Sequence, residues 1–113
     1  MVRLNVGLGA DSVESVENLL EALRFLIAAT RLESGCLGCS AWVESDSTVR
    51  YLEEWETEAD VRRRVRSPRF TSLLAVIESA DHLPHVRFDF ITTTRAIDYV
   101  AEIRAVTTPA SGD

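Results

Sequence analysis

The stretch from Tyr51 to Phe70, YLEEWETEADVRRRVRSPRF, concentrates the functional groups of this chain. Tyr51, Glu53 and Trp55 stand at every second position, so in a strand they share one face. Trp55 and Tyr51 would give that face aromatic walls suited to a flat ring system, and Phe70 would add another. Glu53 could accept a proton. Arg64, on the helix that follows, could bring a cation that favours the anionic form of an acidic ligand. A plainer reading stands beside this one. Arg64 lies four residues after Asp60, the spacing of a helical surface pair. Arg62, Arg63 and Arg66 surround it as a solvated cationic face would. On that reading Trp55, Tyr51 and Phe70 are core residues and Glu53 simply pairs with an arginine.

A second set of groups invites a metal. Cys36-x-x-Cys39 and His82-x-x-His85 together number four zinc-type ligands. Neither pair sits in a knuckle-like turn. Odd spacing along a strand points Cys36 and Cys39 to opposite faces, which suits neither a shared metal nor a disulfide. No metal and no cofactor are expected, and the two histidines read as exposed turn residues.

The bulk properties exclude several classes. The chain has 113 residues, suiting one domain, and its formal net charge is −6. A general nucleic-acid binder draws its affinity from neutralising phosphates, and an anionic membrane surface likewise attracts cations, so neither partner is expected. Phe25–Ala29 and Leu73–Ile77 are the longest apolar runs, far too short to span a bilayer. The opening MVRLNVGLGADS lacks a basic segment followed by an apolar one, so no signal peptide is expected and the default location is cytoplasmic.

These groups need elements to position them. Val2–Leu8 alternates, with Leu4, Val6 and Leu8 on one face. Asp11 or Ser12 caps a helix whose stripe is Val13, Val16, Leu20, Leu23 and Ile27, widened by Leu19 and Leu26. Glu33-Ser34-Gly35 is a turn. Cys36–Glu44 and Thr48–Glu56 form a hairpin around Ser45-Asp46-Ser47. Thr57 and Asp60 make a capping box for a short helix. Ser67-Pro68 opens the next, with Ser67 as N-cap and Phe70, Leu73, Leu74 and Ile77 on its buried face. Val86–Thr92 is the last strand, with Val86, Phe88 and Phe90 alternating against charged neighbours.

The order βαββαβ predicts an α+β, ferredoxin-like protomer: a four-stranded antiparallel sheet with helices on one face. Any pocket would lie between the Tyr51–Trp55 strand face and the helices within Glu58–Ala80. The domain is expected over residues 1–94. A C-terminal helix, Ala96–Val106, and a flexible tail follow over 95–113. The uncovered sheet face would hold Asn5, Trp42, Leu52 and Ile91 among charges. Covering that mixed surface calls for a homodimer packed sheet to sheet.

Gly35-Cys36-Leu37-Gly38-Cys39, Tyr51-Leu52-Glu53-Glu54-Trp55 and Ser67-Pro68-Arg69-Phe70 occur in the order and spacing of a known family. The chain resembles the antibiotic biosynthesis monooxygenase domain over about Val2 to Thr92. The resemblance implies a dimeric α/β barrel. It also implies cofactor-independent oxidation of a small phenolic or quinol aromatic by O2, or else a non-catalytic dimeric module that binds a small ligand or supports a partner. Trp55 matches the family's strand tryptophan and Glu53 the acid before it. Many members place a histidine three residues before the Ser-Pro pair, and here that position holds Arg64. The haem-degrading branch uses that histidine as iron ligand. Arginine offers no free lone pair, and Asn5 alternates with core residues rather than joining them, so haem degradation is not expected. The resemblance matches Trp55 and Glu53 to family positions; with the chemistry of the residues themselves, the candidate catalytic residues are Arg64, Glu53 and Trp55, with Tyr51, Trp55 and Phe70 contacting a small aromatic ligand.

Overall fold

A computed structural model describes residues 1–92 and 97–107. Strand β1 (Val2–Gly9) leads to helix α1 (Val13–Arg31), then to the hairpin β2 (Cys36–Ser45) and β3 (Thr48–Trp55). Helices α2 (Glu58–Arg66) and α3 (Pro68–Glu78) follow, then strand β4 (His85–Phe90) and helix α4 (Asp98–Thr107). The sheet order is β2-β3-β1-β4 and every pairing is antiparallel, the α+β, ferredoxin-like arrangement expected from element order. Ala96, the expected start of the last helix, and residues 108–113 lie outside the described residues.

Local chemistry explains the boundaries. The Ser12 hydroxyl accepts from the Ser15 amide and starts α1. The buried stripe of α1 is Val16, Leu19, Leu23, Ile27 and Thr30. It is displaced from the expected one: Val13 is exposed and Leu20 lies at the margin of the core. Gly35, with φ +84, makes the turn into β2. Thr57 and Asp60 complete the capping box of α2. Ser67 is extended, as a residue before proline prefers, so α2 stops there and α3 restarts at Pro68. Its hydroxyl does not cap α3 as expected; it donates to the Arg64 carbonyl at 2.7 Å and closes α2 instead. Leu74, expected on the buried face of α3, is exposed.

One core joins Leu4, Val6 and Leu8 of β1 to the α1 stripe, to Cys39, Val49 and Tyr51, and to Phe70, Leu73 and Ile77 of α3. Val2, Trp55 and Val61 form a second cluster beside it. The helical layer sits off centre. Helix α1 packs chiefly on β2 and β3, and α2 packs on β3.

The opposite sheet face is charged and paired. Arg3 meets Glu54 at 2.8 Å, and Arg50 meets Glu44 at 2.6 Å. Arg87 meets Asp89 at 3.0 Å, and the Asn5 amide donates to Asp89 at 2.9 Å. Trp42 stands exposed and Leu52 half-buried among these pairs.

Candidate functional site

Strand β3 alternates strictly, so Val49, Tyr51, Glu53 and Trp55 all point under the helices. Glu53 is 0% exposed. A carboxylate so placed must be fully hydrogen-bonded to stay ionised. It is. Oε1 accepts from Trp55 Nε1 at 2.9 Å and Arg64 Nε at 3.3 Å. Oε2 accepts from the Tyr51 hydroxyl at 2.5 Å and Arg64 Nη2 at 2.9 Å. Four donors fill the four acceptor positions of a carboxylate.

Arg64 is 2% exposed, so the surface reading of this residue fails. Asp60, its expected partner, pairs with Arg63 at 2.5 Å. The reason lies in helix geometry. On α2 only Val61 and Arg64 are buried, three residues apart on the inner face. Glu58, Arg62 and Arg63 take the wet side, where Glu58 and Arg62 pair at 2.8 Å. The Arg64 guanidinium therefore enters the core edge. Nη1 reaches Glu33 at 3.0 Å, and Nη2 also donates to Thr30 Oγ1 at 3.3 Å. The Phe70 ring lies 5.4 Å from its central carbon, within cation–π range. Four of the five guanidinium N–H groups are thus used. The fifth, on Nη1, has no partner among the described residues.

The titration of this cluster follows from its burial. Burial acts to lower the Arg64 pKa, but hydrogen bonds and charge from Glu53, with Tyr51 and Glu33, outweigh it and raise it. The Tyr51 hydroxyl is pushed well above its ordinary range, first by burial and then by the Glu53 charge. The Cys39 thiol, which donates to the Tyr51 oxygen at 3.2 Å, is pushed up to about 11 by burial. Cys36 is raised too, again mainly by burial.

The two cysteines share a face, contrary to the parity argument. Cys36 pairs with Trp55 and Cys39 with Glu53, because a bulge between Cys36 and Gly38 adds Leu37 to the edge strand. The extra residue restores the inward direction. The four-ligand zinc arrangement still does not assemble. Cys36 lies at the Val2 end of the sheet, whereas His85 pairs beside Gly7 and His82 reaches Asp11 at 2.5 Å. Among the described residues no three metal-binding side chains converge.

Sequence reasoning brought together Tyr51, Glu53, Trp55, Arg64 and Phe70, and missed Thr30 and Glu33. Thr30 carried a signal: it continues the 16-19-23-27 stripe of α1 onto a polar residue, which then needs a buried partner. Glu33 carried none. Where the β3 face lies beneath α2 and α3, Tyr51, Glu53, Trp55, Arg64 and Phe70 are all buried. A cleft of about 230 Å³ between α1 and α3 instead approaches Arg64 from the solvent side. Phe25, Leu26, Ala29 and Thr30 form one wall, and Arg64, Arg69 and Ser72 the other. Tyr51, Trp55 and Phe70 stand behind the guanidinium, outside these walls.

Solved structures share the fold, among them the following three. A candidate antibiotic biosynthesis monooxygenase from Deinococcus radiodurans superposes with a TM-score of 0.73 at 20% identity, covering 86% of this chain and 98% of its own. A conserved protein from Methanosarcina mazei gives 0.67 at 22% identity, covering 78% and 89%. A second candidate monooxygenase of this type, from Nitrosomonas europaea, gives 0.68 at 11% identity, covering 82% and 100%. No curated protein matches the chain in sequence. Residues 13–75 of the 113, more than half, match the pattern of the family described as antibiotic biosynthesis monooxygenase. This span runs from α1 to α3 and contains every member of the buried network, and by this match the chain belongs to the antibiotic biosynthesis monooxygenase family.

Proposed function

We propose that the protein is a cofactor-independent monooxygenase that oxidises a small phenolic or quinol aromatic with O2. One observation carries this reading: Arg64, whose buried guanidinium is held by two carboxylates, lines one wall of a cleft open to solvent, with Phe25 on the facing wall. A ring entering the cleft would place its acidic hydroxyl toward the remaining Arg64 N–H. The cation would favour the phenolate over the phenol. The phenolate then gives one electron to O2, and the radical pair recombines at carbon as a peroxide anion, which takes back the proton from the carboxyl group to become a hydroperoxide. Loss of water leaves the quinone.

Glu53 is the proton acceptor nearest Arg64 on the sheet side. Its acceptor positions are occupied, so taking a proton requires one donor to swing away. Glu33, partly exposed on the solvent side of Arg64, can accept it with the network intact. Trp55 and Tyr51 act through Glu53, fixing its orientation, and Phe70 backs the guanidinium.

The completeness of the network favours a second reading, a dimeric module that binds a small ligand without turning it over. Every buried polar side-chain atom among the described residues already has a partner, so the cluster needs no ligand to be stable. Oxygen uptake with a panel of hydroquinones and anthrones separates the two. Turnover that falls about 100-fold or more in Arg64→Lys, with the fold intact by circular dichroism, supports catalysis. Binding of the same compounds without oxygen uptake by the wild type supports the module.

A further inference from the structure

Strand β4 presents an apolar row that the described residues of the protomer leave uncovered. Val86, Phe88 and Phe90 pair directly with Val6, Leu4 and Val2, so they face the helical side of the sheet. Their β1 partners are 1%, 2% and 3% exposed, yet Val86, Phe88 and Phe90 are 47%, 37% and 58% exposed. The difference follows from the off-centre helical layer, which leaves β4 bare. Helix α4 is the counterpart. Residues 97–105 are all exposed, and Ile97, Val100 and Ile103 recur at a three-residue interval with Tyr99 beside them.

We propose that α4 of a second copy packs on the Val86-Phe88-Phe90 row, and that the exchange is reciprocal. Three arguments select a second copy. The β4 row and the apolar residues Ile97 and Val100 of α4 are both exposed in the protomer. The dimensions agree: ten helical residues span about 15 Å and six strand residues about 20 Å. The area suffices as well. Covering every exposed part of the row and of the helix face would bury at most about 700 Å² per contact. Two contacts related by a twofold axis then bury at most about 1,400 Å², inside the range of stable interfaces. A single bare row of this size is otherwise a liability for a soluble domain.

The test uses full-length chains. One carries Phe88→Cys and a size tag, and the other carries Val100→Cys. After mixing and mild oxidation, a disulfide-linked pair of the two different chains is expected, absent from a wild-type control that retains Cys36 and Cys39. A chain carrying both substitutions that closes internally and runs as a monomer would overturn the proposal, as would failure to cross-link in either format. Val100→Asp with Ile103→Asp should also weaken self-association about tenfold or more by analytical ultracentrifugation. These positions are exposed in the protomer, so folding is preserved, and an unchanged dissociation constant refutes the exchange.

Discussion

Replacing Arg64 by methionine tests the buried network most directly. The substitution keeps an unbranched apolar side chain in the space and removes the charge. Glu53, fully buried, would lose two of its four donors and the cation it touches, keeping Tyr51 and Trp55. Removing one member of a buried ion pair costs about 3–5 kcal/mol, because the other charge stays behind without compensation. Loss of the Phe70 contact adds about 1 kcal/mol, partly offset because methionine has no charge to desolvate. Glu33 is partly exposed and can return to water, so it adds little. A domain of this size has about 5–15 kcal/mol in total. At about 4 °C per kcal/mol, Tm should fall by roughly 12–20 °C at fixed protein concentration. The decisive comparison is the double variant Glu53→Gln/Arg64→Met. The amide side chain introduced in place of Glu53 would be neutral; its oxygen could still accept from Trp55, and its nitrogen could donate to the Tyr51 oxygen once that hydroxyl turns. The double variant should therefore recover about 2–3 kcal/mol relative to Arg64→Met. If Arg64→Met lies within about 1 kcal/mol of wild type, or the double variant is no more stable than the single, then an uncompensated Glu53 charge is not the cost and Arg64 does not hold this network together.

Alkaline stability should fall in two stages. Cys39, raised to about 11 in the folded protein, stays protonated between pH 9 and 11 while the unfolded chain loses that proton. The unfolded state then binds fewer protons, so stability drops with rising pH, by at most about 1.4 kcal/mol per pH unit. Tyr51, raised above its ordinary value of 10, adds the same sign from pH 10 upward. In urea melts by tryptophan fluorescence, Tyr51→Phe should flatten the decline above pH 10. An equally steep decline in that variant assigns it elsewhere. Gly35→Ala should lose about 2–3 kcal/mol, from a left-handed backbone and from crowding the Asp60 carboxylate that caps α2. A urea midpoint equal to wild type excludes that. Leu52→Lys should shift the protein toward monomer by light scattering if the charged sheet face is a dimer interface, because an unpaired charge there is costly to bury. Unchanged mass places that face in solvent.

Local patterns decided much of the architecture before any contact was known. The alternation in β1 and β3, the capping box at Thr57 and the break at Ser67-Pro68 depend on residues a few positions apart. Element order and the ferredoxin-like topology follow from them. So does the shared face of Tyr51, Glu53 and Trp55, because side-chain direction in a regular strand is a property of the backbone repeat. What the sequence left open are quantities that depend on which elements meet. Arg64 is buried because Glu33 and Thr30, 31 and 34 residues away, arrive to satisfy it together with Glu53. Read locally, Arg64 matched a helical surface pair equally well. The inward turn of Cys36 depends on one extra residue in an edge strand, and a bulge is set by the register with β3 rather than by the alternation of β2 itself. The alternation of Val86, Phe88 and Phe90 marks a face meant to be covered, but whether a helix lies over it depends on how far the helical layer is shifted across the sheet. Periodicity fixes where side chains point; only tertiary packing fixes what they meet there.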